Sequence, residues 1–309
     1  MSSWIWKAGV QQVIGRLPYN YWWNIQLQKY VNKSYLLSRE SFGTKLNLCG
    51  QHLDNLKKYN QKGEMVKALE IGTGPWPIVP IGLYLFGISE IWTYDIAPLI
   101  RKDNLKRVIE LFCEVKEKGA LNRILGRVDE DRFNKLKALM DGDDKEGPNK
   151  LLEKINIHIR VGDARNSKLP DHSMDFIFST VVLEMISAEV LSGLLNKFRR
   201  LASPDNVMSH YVGLADQYAS FDRSITPYNF LRYSDSRWRI YNNPIIPQNR
   251  LRVSDYRELF EKNKWQIVEE RSSSGSADEL AKIKVDEKFK KYSLKDLLVL
   301  YSWFIVRRL

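Results

Sequence analysis

Hydrophobic and polar positions along this chain fall into blocks whose period changes several times. From Lys45, the apolar residues Leu46, Cys49, Leu53 and Leu56 recur at steps of three and four. That spacing predicts an amphipathic helix stopped near Gly63. A short apolar run, Val66 to Ile71, then ends in Gly72-Thr73-Gly74 and reopens as a nearly continuous apolar stretch from Trp76 to Gly87. This is the profile of a buried strand, a tight glycine turn and a packed helix. Glu90 to Ile96 reads as a second buried strand that ends in Asp95, which completes one βαβ unit.

The same alternation continues. Leu105, Val108, Phe112 and Val115 mark a helix closed by Gly119, and Leu125, Val128, Leu136 and Leu139 mark an extra one. The polar stretch Asp141 to Pro148 has alternating Asp residues but lacks the glycine and bidentate acid of a calcium loop, so it is expected to be a solvated loop. Ile155 to Val161 reads as a third strand, Asp175 to Thr180 as a fourth and Val207 to Leu214 as a fifth, with a helix over Leu191 to Leu201. Asp255 to Phe260 starts a helix and Trp265 to Glu270 is a sixth strand. Ser272 to Ser276 reads as a linker, 277–291 as a charged helix and Leu297 to Val306 as a last buried strand. Strands alternating with helices predict a doubly wound α/β fold with a mostly parallel sheet.

Composition narrows the function classes. The 309 residues suit one large domain or a domain with appendages, with 44% apolar and 28% charged residues. Two cysteines, Cys49 and Cys113, and four scattered histidines show no zinc spacing, so no metal is expected and the thiols are expected to be reduced. No run reaches the ~18 apolar residues of a membrane span. The start, Met1 to Lys7, has no signal-peptide pattern, so a cytoplasmic location is expected. A net charge of +11 fits either an anionic partner (nucleic acid, membrane surface or acidic glycan) or a generally basic surface. Residues 1–40 interleave Trp4, Trp6, Tyr19, Tyr21, Trp22, Trp23 and Tyr30 with Lys7, Arg16, Lys29 and Lys33. They are expected to form a helical extension that packs on the domain or lids its pocket. The alternative is an interfacial membrane anchor giving peripheral contact.

The chemistry centres on the glycine turn. Gly72 and Gly74 let backbone approach a ligand without a Cβ in the way, and Glu70 stands at a strand's end, where open α/β sheets bind ligands. A dinucleotide site would want a third glycine where Pro77 stands, and Glu70 would repel a pyrophosphate. Asp95 lies roughly twenty residues beyond the turn, where a carboxylate reaches both hydroxyls of an adenosine ribose. Its other reading is a helix cap, with Pro98 following.

The segment Glu70-Ile71-Gly72-Thr73-Gly74 resembles motif I of class I S-adenosylmethionine-dependent methyltransferases, with Trp76 in place of the third glycine. Leu169-Pro170, Asp175, Ile177, Ser179 and Leu183-Glu184 resemble a later motif of that family, with Met185 where relatives often carry His. The resemblance spans about residues 45–309, loosely over 217–252, and leaves 1–44 outside as an N-terminal helical extension. It implies a seven-stranded sheet with an antiparallel last strand, and S-adenosyl-L-methionine as cofactor. It also implies that Glu70, Gly72, Thr73, Gly74, Asp95 and Ile96 contact that cofactor. Asp163 would take the adenine amino group, Ala164 would leave room for the ring, and Ser179 and Thr180 would sit beside the cofactor.

After the fifth strand, residues 216–252 are crowded with aromatic, charged and amide side chains and are expected to roof the site. Asp222, Tyr228, Asn229, Arg232, Tyr233 and Arg250 suit a sugar or another polar acceptor. Of the two groups flanking the fifth strand, Asp216 and His210, Asp216 is the better candidate for a general base. The reading is therefore methyl transfer to a sugar or glycan hydroxyl, in keeping with a resemblance to methyltransferases of bacterial cell-surface glycan pathways. An RNA methyltransferase is the second reading, favoured by charge. Against it stands Ser179-Thr180-Val181-Val182, where base N-methyltransferases carry an Asn/Asp-Pro-Pro-Tyr/Phe signature. A non-catalytic scaffold at a membrane surface is the third.

Overall fold

The most continuous apolar runs of the chain become the middle of a sheet. In the computed structural model, which describes residues 3–17, 37–60, 66–141 and 146–309, the strands are β1 (Lys67–Ile71), β2 (Glu90–Asp95), β3 (Ile157–Val161), β4 (Met174–Thr180), β5 (Ala202–Gly213), β6 (Trp265–Ser274) and β7 (Val299–Arg308). Their order is β3-β2-β1-β4-β5-β7-β6, and β7 runs antiparallel to both of its neighbours. Central β4 is buried along its first six residues and β1 along its last four, as parallel strands covered on both faces must be. The order of strands reverses between β1 and β4, so a crevice opens at their carboxyl ends.

Twelve α-helices are described. Before β3 come α1 (Ser3–Ile14), α2 (Arg39–Tyr59), α3 (Ile78–Phe86), α4 (Lys102–Glu117), α5 (Leu121–Leu125), α6 (Glu130–Ala138) and α7 (Pro148–Glu153). After β4 come α8 (Ala188–Leu201), α9 (Asp235–Tyr241), α10 (Val253–Lys262), α11 (Ala277–Ala281) and α12 (Leu294–Leu298). One core joins Leu46 and Leu53 of α2 to Ile81, Phe112 and Phe176, and a second joins Phe198 of α8 and Phe260 of α10 to Ile177 and Phe304. A third core lies apart from the sheet: Trp4 and Ala8 of α1 pack with Tyr218, Tyr228, Phe230 and Trp238.

Several boundaries differ from the sequence expectations. Helix α2 starts at Arg39 rather than Lys45, because the Ser38 hydroxyl caps it by accepting from the N–H of Ser41. Ser272 to Ser274 belong to β6 rather than a linker, since pairing of Ser272 with Ser302 and Ser273 with Tyr301 on β7 outweighs the weak strand preference of serine. The helix expected over 277–291 is cut short to α11, with a separate 3₁₀ turn at Glu287–Phe289. Ser276 and Asp286 cap two separate short turns there, and Leu280 and Phe289 turn into the third core. Leu297 and Leu298 finish α12, so β7 begins at Val299. Tyr19, Tyr21, Trp22, Trp23, Lys29, Tyr30, Lys33, Gly63 and the Gly142–Lys145 part of the polar loop lie outside the described residues.

Candidate active site

At the switch point, β1 ends in a turn that only glycine fits. Gly72 has φ +79°, and its N–H donates to the Tyr94 carbonyl at 2.8 Å, which ties the turn to β2. Gly74 has φ +66°, with open space where a Cβ would stand, and its N–H donates to Asp95 Oδ2 at 2.9 Å. Asp95 Oδ1 accepts from the N–H of Ala97 at 3.2 Å. Burial nonetheless raises the Asp95 pKa above its ordinary value. Glu70, one residue before the strand's end, is 3% exposed and accepts from Thr93 Oγ1 at 3.0 Å; the Thr93 and Thr73 hydroxyls are bonded in turn. Burial pushes the Glu70 carboxyl up to about 7, against the pull of Thr93 and of the Lys45 ammonium. Lys45 reaches the same cavity from α2, its own pKa lowered by burial and partly restored by Glu70.

The opposite wall is the turn after β4. Val181 has φ +57°, an outlier for a β-branched residue, and is held by its N–H to the Tyr211 carbonyl at 2.7 Å. Thr180 lines the cavity, and its hydroxyl lies 3.1 Å from His52 Nε2 on α2. His52 Nδ1 is 2.9 Å from Ser209 Oγ, which also accepts from Asn55 Nδ2 at 2.9 Å. Burial takes His52 down to about 3, so the ring is neutral and one nitrogen donates while the other accepts.

Between these walls lies a cavity of about 510 Å³. Its lining includes the polar side chains of Lys45, Thr73, Asp95 and Asp163. It also includes Met185, Ile186, Val190 and Leu194, with Ile245 and Pro247 from the segment after β5. Among the described residues, no group of histidine, cysteine or acidic side chains is arranged to hold a metal.

A family model described as a methyltransferase domain matches residues 137–209, which span β3, β4 and the start of β5. That match falls on the half of the sheet carrying Asp163 and Thr180, and the strand order with its reversed β7 is that of the same family. Over that segment, and in its fold, the chain is similar to class I S-adenosylmethionine-dependent methyltransferases. Among solved structures it is similar to a Pyrococcus horikoshii protein, at 12% identity over 91% of this chain and 96% of that one, with a TM-score of 0.47. It is also similar to phosphoethanolamine N-methyltransferase 2 of Haemonchus contortus, solved with S-adenosyl-L-methionine (13% identity, 92% of this chain, 59% of that one, TM-score 0.44). A third is the geranyl diphosphate C-methyltransferase of Streptomyces coelicolor (10% identity, 84% and 79%, TM-score 0.43). No curated protein matches the chain by sequence.

Of the methyltransferase residues expected to meet the cofactor, Gly72, Thr73, Gly74, Asp95, Ile96, Asp163, Ala164 and Thr180 all line the cavity, and Glu70 lies directly beneath its floor, bonded through Thr93 to Thr73. Asp163 also holds Arg165 in an ion pair, which lowers its pKa. Ser179 does not line the cavity: it is fully buried, 2.8 Å from His210 Nδ1. His210 sits mid-strand between the rings of Phe198 and Phe260, and burial takes it down to about 3; as a base it is excluded by position. Asp216 is likewise turned away. It accepts from the Tyr218 N–H at 2.8 Å and Asn229 Nδ2 at 3.0 Å, 2% exposed, with burial raising its pKa to about 6.

The six residues expected to hold a polar acceptor are engaged elsewhere. Asp222 caps α1, accepting from Ser3 Oγ at 2.7 Å and the Trp4 N–H at 3.1 Å. Hydrogen bonds from Ser224 and Ser3 hold its carboxyl well below the usual carboxylate range. Tyr228 is fully buried and donates to the Leu298 carbonyl, and Asn229 is spent on Asp216. Arg250 is buried and donates to the carbonyls of Phe230 and Tyr233 and to Asp235. Tyr233 packs among Trp4, Trp238 and Tyr241, while exposed Arg232 lies over the Tyr233 ring. The insertion buries its aromatic residues in the core it shares with α1, and Asp222, Tyr228, Asn229 and Arg250 are spent on hydrogen bonds within and around that core. Sequence reasoning missed Lys45, Ile245 and Pro247. Lys45 precedes the apolar stripe of α2 by one position, which was the available signal; Ile245 and Pro247 gave none.

Proposed function

We propose that this chain is an S-adenosylmethionine-dependent methyltransferase that holds its cofactor against the polar lining of the cavity and methylates an acceptor whose body is apolar, seated against Met185, Ile186, Val190, Leu194, Ile245 and Pro247. The observation that carries the reading is the lining of one cavity by polar groups of α2 and of the carboxyl ends of β1, β2 and β3 together with apolar side chains that follow β4 and β5. The residues present fit the cofactor: Gly74 leaves open space where a Cβ would project, and two carboxylates flank an exposed Ile96. In this reading Asp95 accepts from the ribose hydroxyls. Asp163 accepts from the adenine amino group, with Ile96 and Ala164 against the ring. Lys45 pairs with the carboxylate of the amino-acid tail, and Glu70 keeps the cationic end in place. The bound cofactor supplies an electrophilic methyl carbon on a sulfonium.

Among the described residues, no histidine lines the cavity and its carboxylates are those assigned to the cofactor, so the chain's contribution to transfer is positioning of the nucleophile in line with the carbon–sulfur bond. Thr180 offers the one hydroxyl at the wall after β4. When His52 Nε2–H donates to Thr180 Oγ1, the Thr180 proton is free to point at the acceptor. A sugar or glycan hydroxyl drew its support from the insertion's polar residues, and these are occupied by the insertion's own packing. An RNA acceptor retains only the net charge. Transfer of labelled methyl groups from the cofactor into extracts fractionated as apolar small molecules, glycans and RNA tests the reading. Label is expected in the apolar fraction. Label confined to glycan or RNA overturns it.

A further inference from the structure

Helix α1 is apolar on both sides. Its inner face buries Trp4 and Ala8 in the third core, yet Trp6 is 55% and Val13 64% exposed on its outer face, with Leu17 following at 42%. Positions 6, 13 and 17 share one side of a helix by their spacing. Helix α9 packs beside α1: Gln12 Nε2 donates to the Arg239, Ile240 and Asn242 carbonyls, and the Ile240 side chain is 64% exposed. At the other end Lys7 Nζ lies 4.1 Å above the ring of Phe221, itself 36% exposed. Five of the ten exposed large apolar residues among those described therefore lie on this one surface.

The charge around the patch has a single sign. The first acidic residue of the sequence is Glu40, so α1 carries none, while Lys7 and Arg16 flank Trp6 and Leu17. Arg239 adjoins Ile240 and Arg223 follows Phe221 by two, all exposed. The two acids nearby are spoken for: Asp222 caps α1, and Asp235 pairs with Arg250 and Lys288. Exposed Trp and aliphatic side chains ringed by cations, with no free carboxylate, are what a protein presents to the headgroups of an anionic bilayer.

We propose that the α1–α9 face docks this protein on an anionic lipid surface, as a peripheral contact that leaves the sheet in water. It stands on the surface alone and does not depend on which acceptor the cavity takes. The test is co-sedimentation of the full chain with vesicles of phosphatidylcholine, and with vesicles in which about a third is phosphatidylglycerol. Binding is expected to the anionic vesicles only and to weaken with salt. Trp6→Ser combined with Ile240→Ser should reduce it at least tenfold, and Arg16→Glu with Arg239→Glu should abolish it. All four side chains are exposed, and an unchanged melting temperature shows that the fold is kept. No binding to either vesicle, or equal binding by the variants, overturns the proposal. So does a wild-type dimer that the Trp6 and Ile240 changes dissociate, which would make the face a contact between copies. Retention of RNA with no retention of vesicles would assign the cations to nucleic acid and overturn it equally.

Discussion

Gly72 and Val182 approach so closely that a Cβ on Gly72 would lie 2.3 Å from a Val182 methyl. The turn after β1 and the turn after β4 therefore fit together across the switch point. An alanine at 72 meets that methyl and is also strained by about 1–2 kcal/mol at a left-handed φ. Gly72→Ala is expected to weaken S-adenosylmethionine binding at least tenfold by calorimetry. Adding Val182→Ala should recover part of the loss, because it removes the clash and leaves the strain.

Cofactor affinity should depend on pH through Glu70. Its carboxyl, pushed up to about 7 by burial, is largely protonated in the free protein at pH 6 and ionised at pH 8. A cationic ligand favours the ionised form, so the wild-type dissociation constant should fall as pH rises through 7. Glu70→Gln, measured alongside, should lose this component of the profile. Identical profiles for the two would show that Glu70 stays in one protonation state.

Stability should move the other way with pH through Glu184. Burial, partly offset by the N–H groups of Glu184 and Gly213, lifts this carboxyl from 4.5 to about 8. Between those values the folded chain keeps a proton that the unfolded chain releases, so stability falls as pH rises from about 4.5 to about 8. Tyr211 and Tyr256, the phenols nearest in charge, stay neutral throughout. Glu184→Gln should melt higher than wild type at pH 8 and no higher at pH 4.5. Thermal denaturation across that interval checks it.

The roof should respond at its apolar residues rather than its charged ones. Ile245→Ser is expected to raise the acceptor KM severalfold with cofactor affinity within about twofold, since Ile245 belongs to the insertion while the groups assigned to the cofactor come from α2 and the ends of β1, β2 and β3. Arg232→Ala should leave both unchanged, its guanidinium lying over the Tyr233 ring at the surface. Steady-state kinetics with the labelled acceptor decides between them.

The parts of the site legible in the sequence are those where one residue's own backbone or charge sets its role. Gly72, Gly74, Asp95 and Asp163 sit at strand ends, and strand ends follow from apolar runs. Composition does not say which way a side chain turns, and Asp216, Tyr228 and Arg250 do not line the cavity. Their polar groups were read as reaching for a ligand when each serves the backbone of a small core. That core could not be foreseen, since it closes around Trp4, on a helix more than two hundred residues earlier. Serines 272 to 274 show the same limit in a strand, where pairing with β7 decides against local preference.

Asp222 holding the start of α1, and Gln12 holding the end of α9, have an evolutionary corollary. With Gly15 set against Pro244, helix and insertion are interlocked at both ends. Neither is a free module. A chimera that borrows residues 216–252 from a relative while keeping this N-terminus would strand a helix with no cap and a roof with no buttress. Recombination that changes the acceptor must therefore move both segments together, although five of the seven strands are encoded between them.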